Sequence, residues 1–397
     1  MSAHLNATGA RVAQDTRWRY VALLLAAGIG AAMQVGKVPA ALPVLQRDLH
    51  LTLIAAAWIM SLFSVVGAAF GCLAGSFADH IGARTTTVAG LACMALASAL
   101  GSVASNPAPL LASRALEGMG FVVAVVAIPS LLLASADERD RRLVPALWGT
   151  YMPIGTAIAL ASAPAVLYFS GWRLLWRLNA VVLLGFALAL VAIRPPSLRS
   201  ERRTTSLAHL RAVLFRAGPV RLALVFACYT FQYAPVMGFL PTLLTRLDFA
   251  PRNSGALTAA AVLTNAVGNL AASWLIQRRI APRALIACAC IAMSVAAVGI
   301  FTAALAPLAR YFCSVGFFAF AGLVPASIFA SVPTATPDRS SSATTMGLVV
   351  QASHMGQLIG PPAVAAVAGF GWQLAPAVLV PAALTALLVA RTLEPAR

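Results

Sequence analysis

The sequence predicts an all-α membrane protein with twelve transmembrane helices in two pseudo-symmetric six-helix bundles. Three observations carry this. Of 397 residues, 60% are hydrophobic and only 10% are charged, whereas a soluble domain carries about 25% charged residues. The apolar residues gather into runs of the roughly 20 residues that a helix needs to cross a bilayer. The two halves of the chain also repeat one another at a shift of 196 to 198 residues. A mean hydropathy of +0.87 excludes a cytosolic enzyme, a disordered chain and a nucleic-acid-binding domain. A net charge of +17 would otherwise suit nucleic acid, but the arginines lie between apolar runs and are read as membrane topology.

Taken in order, the predicted spans are 20–42, 54–77, 85–105, 108–134, 144–169, 174–193, 219–243, 254–276, 283–304, 306–332, 343–369 and 372–390. The least marked turns are those near 105–108, 305 and 370. With the N-terminus inside, the inner segments hold twenty of the 28 Lys and Arg, and the outer loops hold only Arg47, Arg173, Arg246 and Arg252. This asymmetry predicts a multi-pass protein of the cytoplasmic (inner) membrane with both termini cytoplasmic. The N-terminus is polar up to Tyr20 and shows no short apolar region with a small-residue cleavage site, so no cleaved signal peptide is expected. The stretch 194–218 is arginine-rich and carries Pro195 and Pro196. It divides the chain into an N-terminal bundle (1–193), a basic cytoplasmic linker (194–218) and a C-terminal bundle (219–397).

The repeat rests on four matches in equivalent spans. Leu42-Pro43 pairs with Leu240-Pro241, and Gly71-x-Leu73-Ala74 with Gly268-x-Leu270-Ala271. Arg114 pairs with Arg310, and Pro129 with Pro325. Two such halves sharing a site at mid-membrane are a transporter architecture, which works by rocking one half against the other.

Ionisable residues inside spans are costly, so each is a functional candidate. Lys37, the chain's one lysine, lies about 25 Å along the first span at about 1.5 Å per residue. Arg114 and Glu117 are three apart on the fourth span and share a helix face. Arg310 repeats Arg114, with Cys313 where Glu117 would repeat. Lys37 and Arg310 could instead snorkel to the outer interface, and Arg114–Glu117 could be a structural ion pair. If all face one cavity, three cations against one acid favour an anion over a cation. Glu117 is then the candidate proton carrier, and His354 the second titratable group. The neutral polar residues Gln34, Tyr151, Gln232, Tyr233, Asn265, Gln351 and Gln357 are expected along the same cavity, with Gln351, His354 and Gln357 close to one stripe. Trp58, Trp172, Trp176 and Trp372 fall near span ends and read as interfacial belt residues.

Two stretches carry a family resemblance. Gly75-Ser76-Phe77-Ala78-Asp79-His80-Ile81-Gly82-Ala83-Arg84 resembles the G-x-L-A-D-R-x-G-R-R signature of the major facilitator superfamily. Arg114-Ala115-Leu116-Glu117-Gly118-Met119-Gly120 resembles its R-x-x-x-G-x-G motif. The resemblance implies that Gly75, Asp79, Gly82 and Arg84 form a gating motif at a cytoplasmic helix end. It also implies that the first and fourth helices line the central cavity, so that Lys37, Glu117 and Arg114 can meet there. Family analogy favours a monomer. Two positions of the loop motif depart from the pattern, His80 and Ala83, and the second half has Ile276 where Asp79 would repeat. The fifth span lacks the Gly-Pro pair typical of drug/proton antiporters, reading Gly149-Thr150-Tyr151-Met152-Pro153-Ile154-Gly155. The eleventh instead carries Gly356-x-x-x-Gly360-Pro361-Pro362, a pattern for close helix packing and a kink.

Together these features predict a secondary transporter, proton-coupled, moving a small anionic solute by alternating access; the alternative is a proton-driven multidrug efflux antiporter. No enzyme activity, cofactor, metal or nucleic-acid partner is expected. The chain carries neither H-E-x-x-H nor G-x-S-x-G, and no nucleotide-binding signature. The six cysteines lack metal-ligand spacing and read as small buried hydrophobes. The partners expected are the solute, protons and the lipid bilayer.

Overall fold

The computed structural model describes residues 15–72, 82–141, 143–193, 213–336 and 342–393, and these contain helices and no strand. In chain order the helices are α1 (Trp18–Asp48), α2 (Leu53–Cys72), α3 (Ala83–Ser102) and α4 (Pro107–Ser135). A short α5 (Leu143–Trp148) precedes α6 (Tyr151–Ala192). Then follow α7 (Ala217–Arg246), α8 (Pro251–Gln277) and α9 (Pro282–Phe301). The last three are α10 (Pro307–Ala335), α11 (Ser342–Ala368) and α12 (Trp372–Arg391).

Ten of these are long and apolar enough to cross a membrane. One of the ten, the 42-residue α6, is two spans, because Gly171 adopts φ 72° and ψ −177° in its interior and folds the chain back. With the 27-residue α11, the count reaches the expected twelve. The fifth and sixth spans, read as separate runs, are thus joined by a turn at Gly171 rather than by a loop. The same Gly-Trp pair recurs at Gly371-Trp372, where Gly371 takes φ 148° before α12. These are the left-handed values that only glycine adopts freely.

Local chemistry sets the other ends. Helices α4, α8, α9 and α10 begin on proline, whose missing N–H is no loss in a first turn. The Thr52 and Asn106 side chains accept from backbone N–H groups at the starts of α2 and α4. An even number of spans puts both termini at one end of the bundle, called here the termini end.

Within the first half, α1 packs along α6 and α3 along α4; in the second, α7 packs along α11 and α9 along α10 and α12. Small residues bring backbones together. Gly118 of α4 abuts the Phe63 carbonyl of α2, and Gly356 and Gly360 of α11 abut the Ala227 and Phe231 carbonyls of α7. The halves meet along α2–α11, α6–α8 and α1–α7. One core cluster lies wholly in the first half, and a larger one runs through both.

Two expectations are corrected. Trp172 and Trp176 are not belt residues: they are 1% and 0% exposed and stack edge to face at 5.4 Å inside the first half. The cysteines are free thiols, but only Cys290 is fully buried, and Cys288 faces outward from the bundle.

Candidate functional site

The structure brings Lys37, Arg114 and Glu117 together in the first half. Lys37 of α1 donates to Glu117 Oε1 at 2.7 Å and to Ser98 Oγ of α3 at 2.8 Å. Its ammonium lies 4.5 Å from the Trp176 ring, and Ser98 Oγ donates in turn to the Trp176 carbonyl at 2.9 Å. Arg114 Nη1 donates to Glu117 Oε2. Its Nε reaches the Ile59 carbonyl at 3.1 Å and its Nη1 the Gln34 carbonyl at 3.2 Å, while the guanidinium lies 4.5 Å from the Phe63 ring.

None of the three side chains is more than 1% exposed. Each oxygen of Glu117 therefore holds a different cation, one on α1 and one on its own helix. Burial of charge is tolerated where partners and hydrogen bonds are this complete. The formal charge of the cluster is +1, from two cations and one acid.

A cavity of about 30 Å³ lies where the halves meet, walled by α1, α2, α4, α7 and α11. Arg114 is the one charged residue on its wall among the described residues; Ser64 and Gln357 add polar groups, and Met60, Phe63 and Met237 apolar ones. The cavity has room for about one water. Lys37 does not reach this wall. It stands behind Arg114, with Glu117 between them, and the snorkelling alternative does not describe it.

Other expected site residues are dispersed. Arg310 does not join the cluster: it is the fourth residue of α10, half-buried, and its Nε caps the Ile300 carbonyl at 2.8 Å. Of the three cations expected together from the sequence, the structure therefore brings together two, Lys37 and Arg114. Gln34 contributes its carbonyl to Arg114, while its side-chain amide is buried without a hydrogen-bond partner. Gln232 turns back onto the Cys228 carbonyl at 3.0 Å, and Tyr151 stacks on Trp148 at 4.1 Å. Tyr233 packs on Phe318, and Asn265 donates to the Phe318 carbonyl at 3.4 Å.

Gln351, His354 and Gln357 do form one stripe, but it faces α2 across the junction of the halves. Only Gln357 of the three reaches the cavity.

Of the gating motif, Gly75 and Asp79 lie outside the described residues. Gly82 takes φ 93° ahead of α3. Arg84 donates to the carbonyls of Leu190 at 3.1 Å, Val191 at 2.8 Å and Ile193 at 3.3 Å. It thereby satisfies the free carbonyls at the C-terminal end of α6, where a cation also meets the helix dipole favourably. The basic stretch 194–218 lies outside the described residues up to 212. Ser98, Ile59, Phe63 and Trp176 carry none of the signals that single out a charge in an apolar run.

The comparisons with known proteins agree with this architecture. The family model of the Major Facilitator Superfamily matches residues 23–350, and the chain belongs to that superfamily. Among curated relatives, the puromycin resistance protein pur8 of Streptomyces alboniger is 29% identical over 47% of this chain and 37% of its own length. The methylenomycin A resistance protein of Bacillus subtilis (strain 168) is 27% identical over 41% and 35%. The putative niacin/nicotinamide transporter NiaP of the same organism is 25% identical over 64% of this chain and 66% of its own. The chain thus spans between about a third and two thirds of the length of these relatives.

Among solved structures, a bacterial homolog of the human lysosomal transporter Spinster, inward-facing and unoccupied, superposes with a TM-score of 0.77. The match covers 96% of this chain and 98% of that one at 15% identity. At that identity the likeness concerns the fold.

Proposed function

We propose that this chain is a proton-coupled secondary transporter that moves a small anionic solute by alternating access. The moving parts are a bundle of residues 1–193 and one of residues 219–397, joined by the basic stretch 194–218. One observation carries the substrate class: Arg114 stands on the wall of the inter-half cavity, in front of a buried cluster that is one positive charge in excess. In a low-dielectric site that excess attracts an anion and repels a cation.

Glu117 is the proton carrier in this reading. It is the only acid in the cluster, and an anion bound at Arg114 would compete for the guanidinium that now holds it. Lys37 positions Glu117 from behind. The termini end, rich in arginine, is cytoplasmic in the inner membrane. Gly75, Asp79, Gly82 and Arg84 gate there, and the protein works as a monomer.

The test is flux into proteoliposomes under a proton gradient. Labelled monocarboxylates should accumulate with the wild type and not with Arg114→Gln. Glu117→Gln should still exchange carboxylate for carboxylate but lose accumulation driven by the gradient. A second reading, proton-driven efflux of drugs, is favoured by two of the relatives above, both named as antibiotic resistance proteins. Movement of a lipophilic cation against protons, indifferent to Arg114→Gln, would replace the first reading by the second.

A further inference from the structure

We infer that Gln351 is the latch that holds the two halves together at the termini end, and that it works by bridging one rung of the α2 hydrogen-bond ladder. This rests on the alternating-access reading.

The two principal seams between the halves differ in chemistry. Near the far end, α6 meets α8 through Gly255, which lies against the Leu160 carbonyl and the Pro164 ring. No side-chain hydrogen bond joins α6 to α8 among the described residues. Every side-chain hydrogen bond between the halves among these residues runs instead from α11 to α2. Ser61 Oγ donates to the Gln357 carbonyl at 3.3 Å, and Ser64 Oγ to Gln357 Oε1 at 3.3 Å. The remaining three belong to Gln351. Its Nε2 donates to the Ala68 carbonyl at 2.8 Å and the Ala69 carbonyl at 3.2 Å, and its Oε1 accepts from the Cys72 N–H at 3.2 Å.

Ala68 and Cys72 are four apart, the pair whose carbonyl and N–H an α-helix joins to each other. The Gln351 amide offers a donor to the first and an acceptor to the second, as a peptide group would. Glycine makes this reach possible: a methyl on Gly71 would sit 2.9 Å from Gln351 Cα, and one on Gly347 would sit 3.2 Å from Cys72 Cα.

Reversibility follows from the same geometry. A hydrogen bond between two buried side chains strands both partners when it breaks, at the cost of their desolvation. Here the Ala68 carbonyl and the Cys72 N–H are ladder partners within α2, which is helical through Cys72, so each keeps a partner when the amide withdraws, and the amide moves toward the water that enters the opening seam. The latch is thus specific when closed and leaves no unsatisfied group on α2 when open. A leucine or methionine at 351 could pack on Gly71 but could not hold the rung. Gln351 is a positioning residue for the transport cycle and need not touch the solute.

The experiment uses Cys72 as the reporter in the full chain, with Cys93, Cys228, Cys288, Cys290 and Cys313 replaced by alanine. Alkylation of Cys72 by a maleimide is timed in lipid nanodiscs for Gln351, Gln351→Glu and Gln351→Met, and flux is measured in parallel. The expected result is a graded series. The glutamate keeps only an acceptor and should raise the rate about 2- to 3-fold, and the methionine, which keeps neither group, at least 5-fold. If the methionine variant does not fold, the glutamate variant alone decides.

Equal rates across the series, with carboxylate flux intact in the Gln351 protein, would overturn the latch and leave the transport reading standing. A graded series in a protein that moves no solute would overturn the transport reading, and with it the latch's role in a cycle.

Discussion

The two halves share a plan and differ in what they bury. In the first, Lys37 on α1, Arg114 and Glu117 on α4 and Ser98 on α3 close into one hydrogen-bonded cluster. At the repeat positions the second half has Pro235, Arg310, Cys313 and Ser294. Its arginine turns away from the interior and caps the end of α9, and its serine bonds back to its own helix at Cys290. The lesson concerns partners. A cation goes into a membrane bundle where an acid waits one turn along, and without the acid the same residue goes to the nearest free carbonyls. Helix starts reinforce this, because Arg114 is the eighth residue of α4 and Arg310 only the fourth of α10.

The most severe way to break this asymmetry is to remove the acid. Glu117→Ala leaves two buried cations without their counter-charge. It should cost about 3–5 kcal/mol of apparent stability, read as a loss of folded protein on heating in detergent. Cys313→Ala, its repeat partner, should change stability by about 1 kcal/mol or less. Equal losses would mean that the cluster is only packing.

A smaller contrast lies in the glycines of the same two helices. Gly118→Ala pushes a methyl into the Phe63 carbonyl, which seats the ring beneath Arg114. The cost should be about 1–3 kcal/mol, with weaker solute binding as the functional sign. A methyl at Gly316 would meet nothing within 4 Å. Gly316→Ala should be neutral or stabilising by up to about 1 kcal/mol, since alanine is the better helix former. Thermal melts of the two variants compare them directly.

The smallest effect belongs to Arg310. Arg310→Gln removes a half-exposed cap and should cost under about 1 kcal/mol, leaving flux and its proton dependence as in the wild type. A loss of anion transport in that variant would return Arg310 to the site and restore the three-cation reading.

The charged part of the site was legible because a charge in an apolar run is conspicuous. Lys37, Arg114 and Glu117 are flanked by residues that give them no reason to be there unless paired. Their neighbours were not legible. A serine such as Ser98 is common in spans. Trp172 and Trp176 near a span end suit an interfacial belt as well as a core, and only the turn at Gly171 swings them inward. Gln351 and His354 were expected at the cavity because period alone puts them on one stripe. Which neighbour a stripe faces depends on how the halves dock.

By itself, then, the sequence determined the class of molecule: a bilayer admits only chains that satisfy their own backbone, and length, hydropathy and arginine placement leave a twelve-helix duplicated bundle. The Glu117 acid, three residues from Arg114, also marked α4 as a helix able to hold a buried charge. The tertiary structure decided the rest. It set two cations and not three on Glu117, put Arg114 before Lys37 at the cavity, and brought the Gln351 amide to the α2 ladder. The physical reason is that pairing, capping and bridging depend on distances between helices far apart in the chain, and close packing at glycines sets those distances.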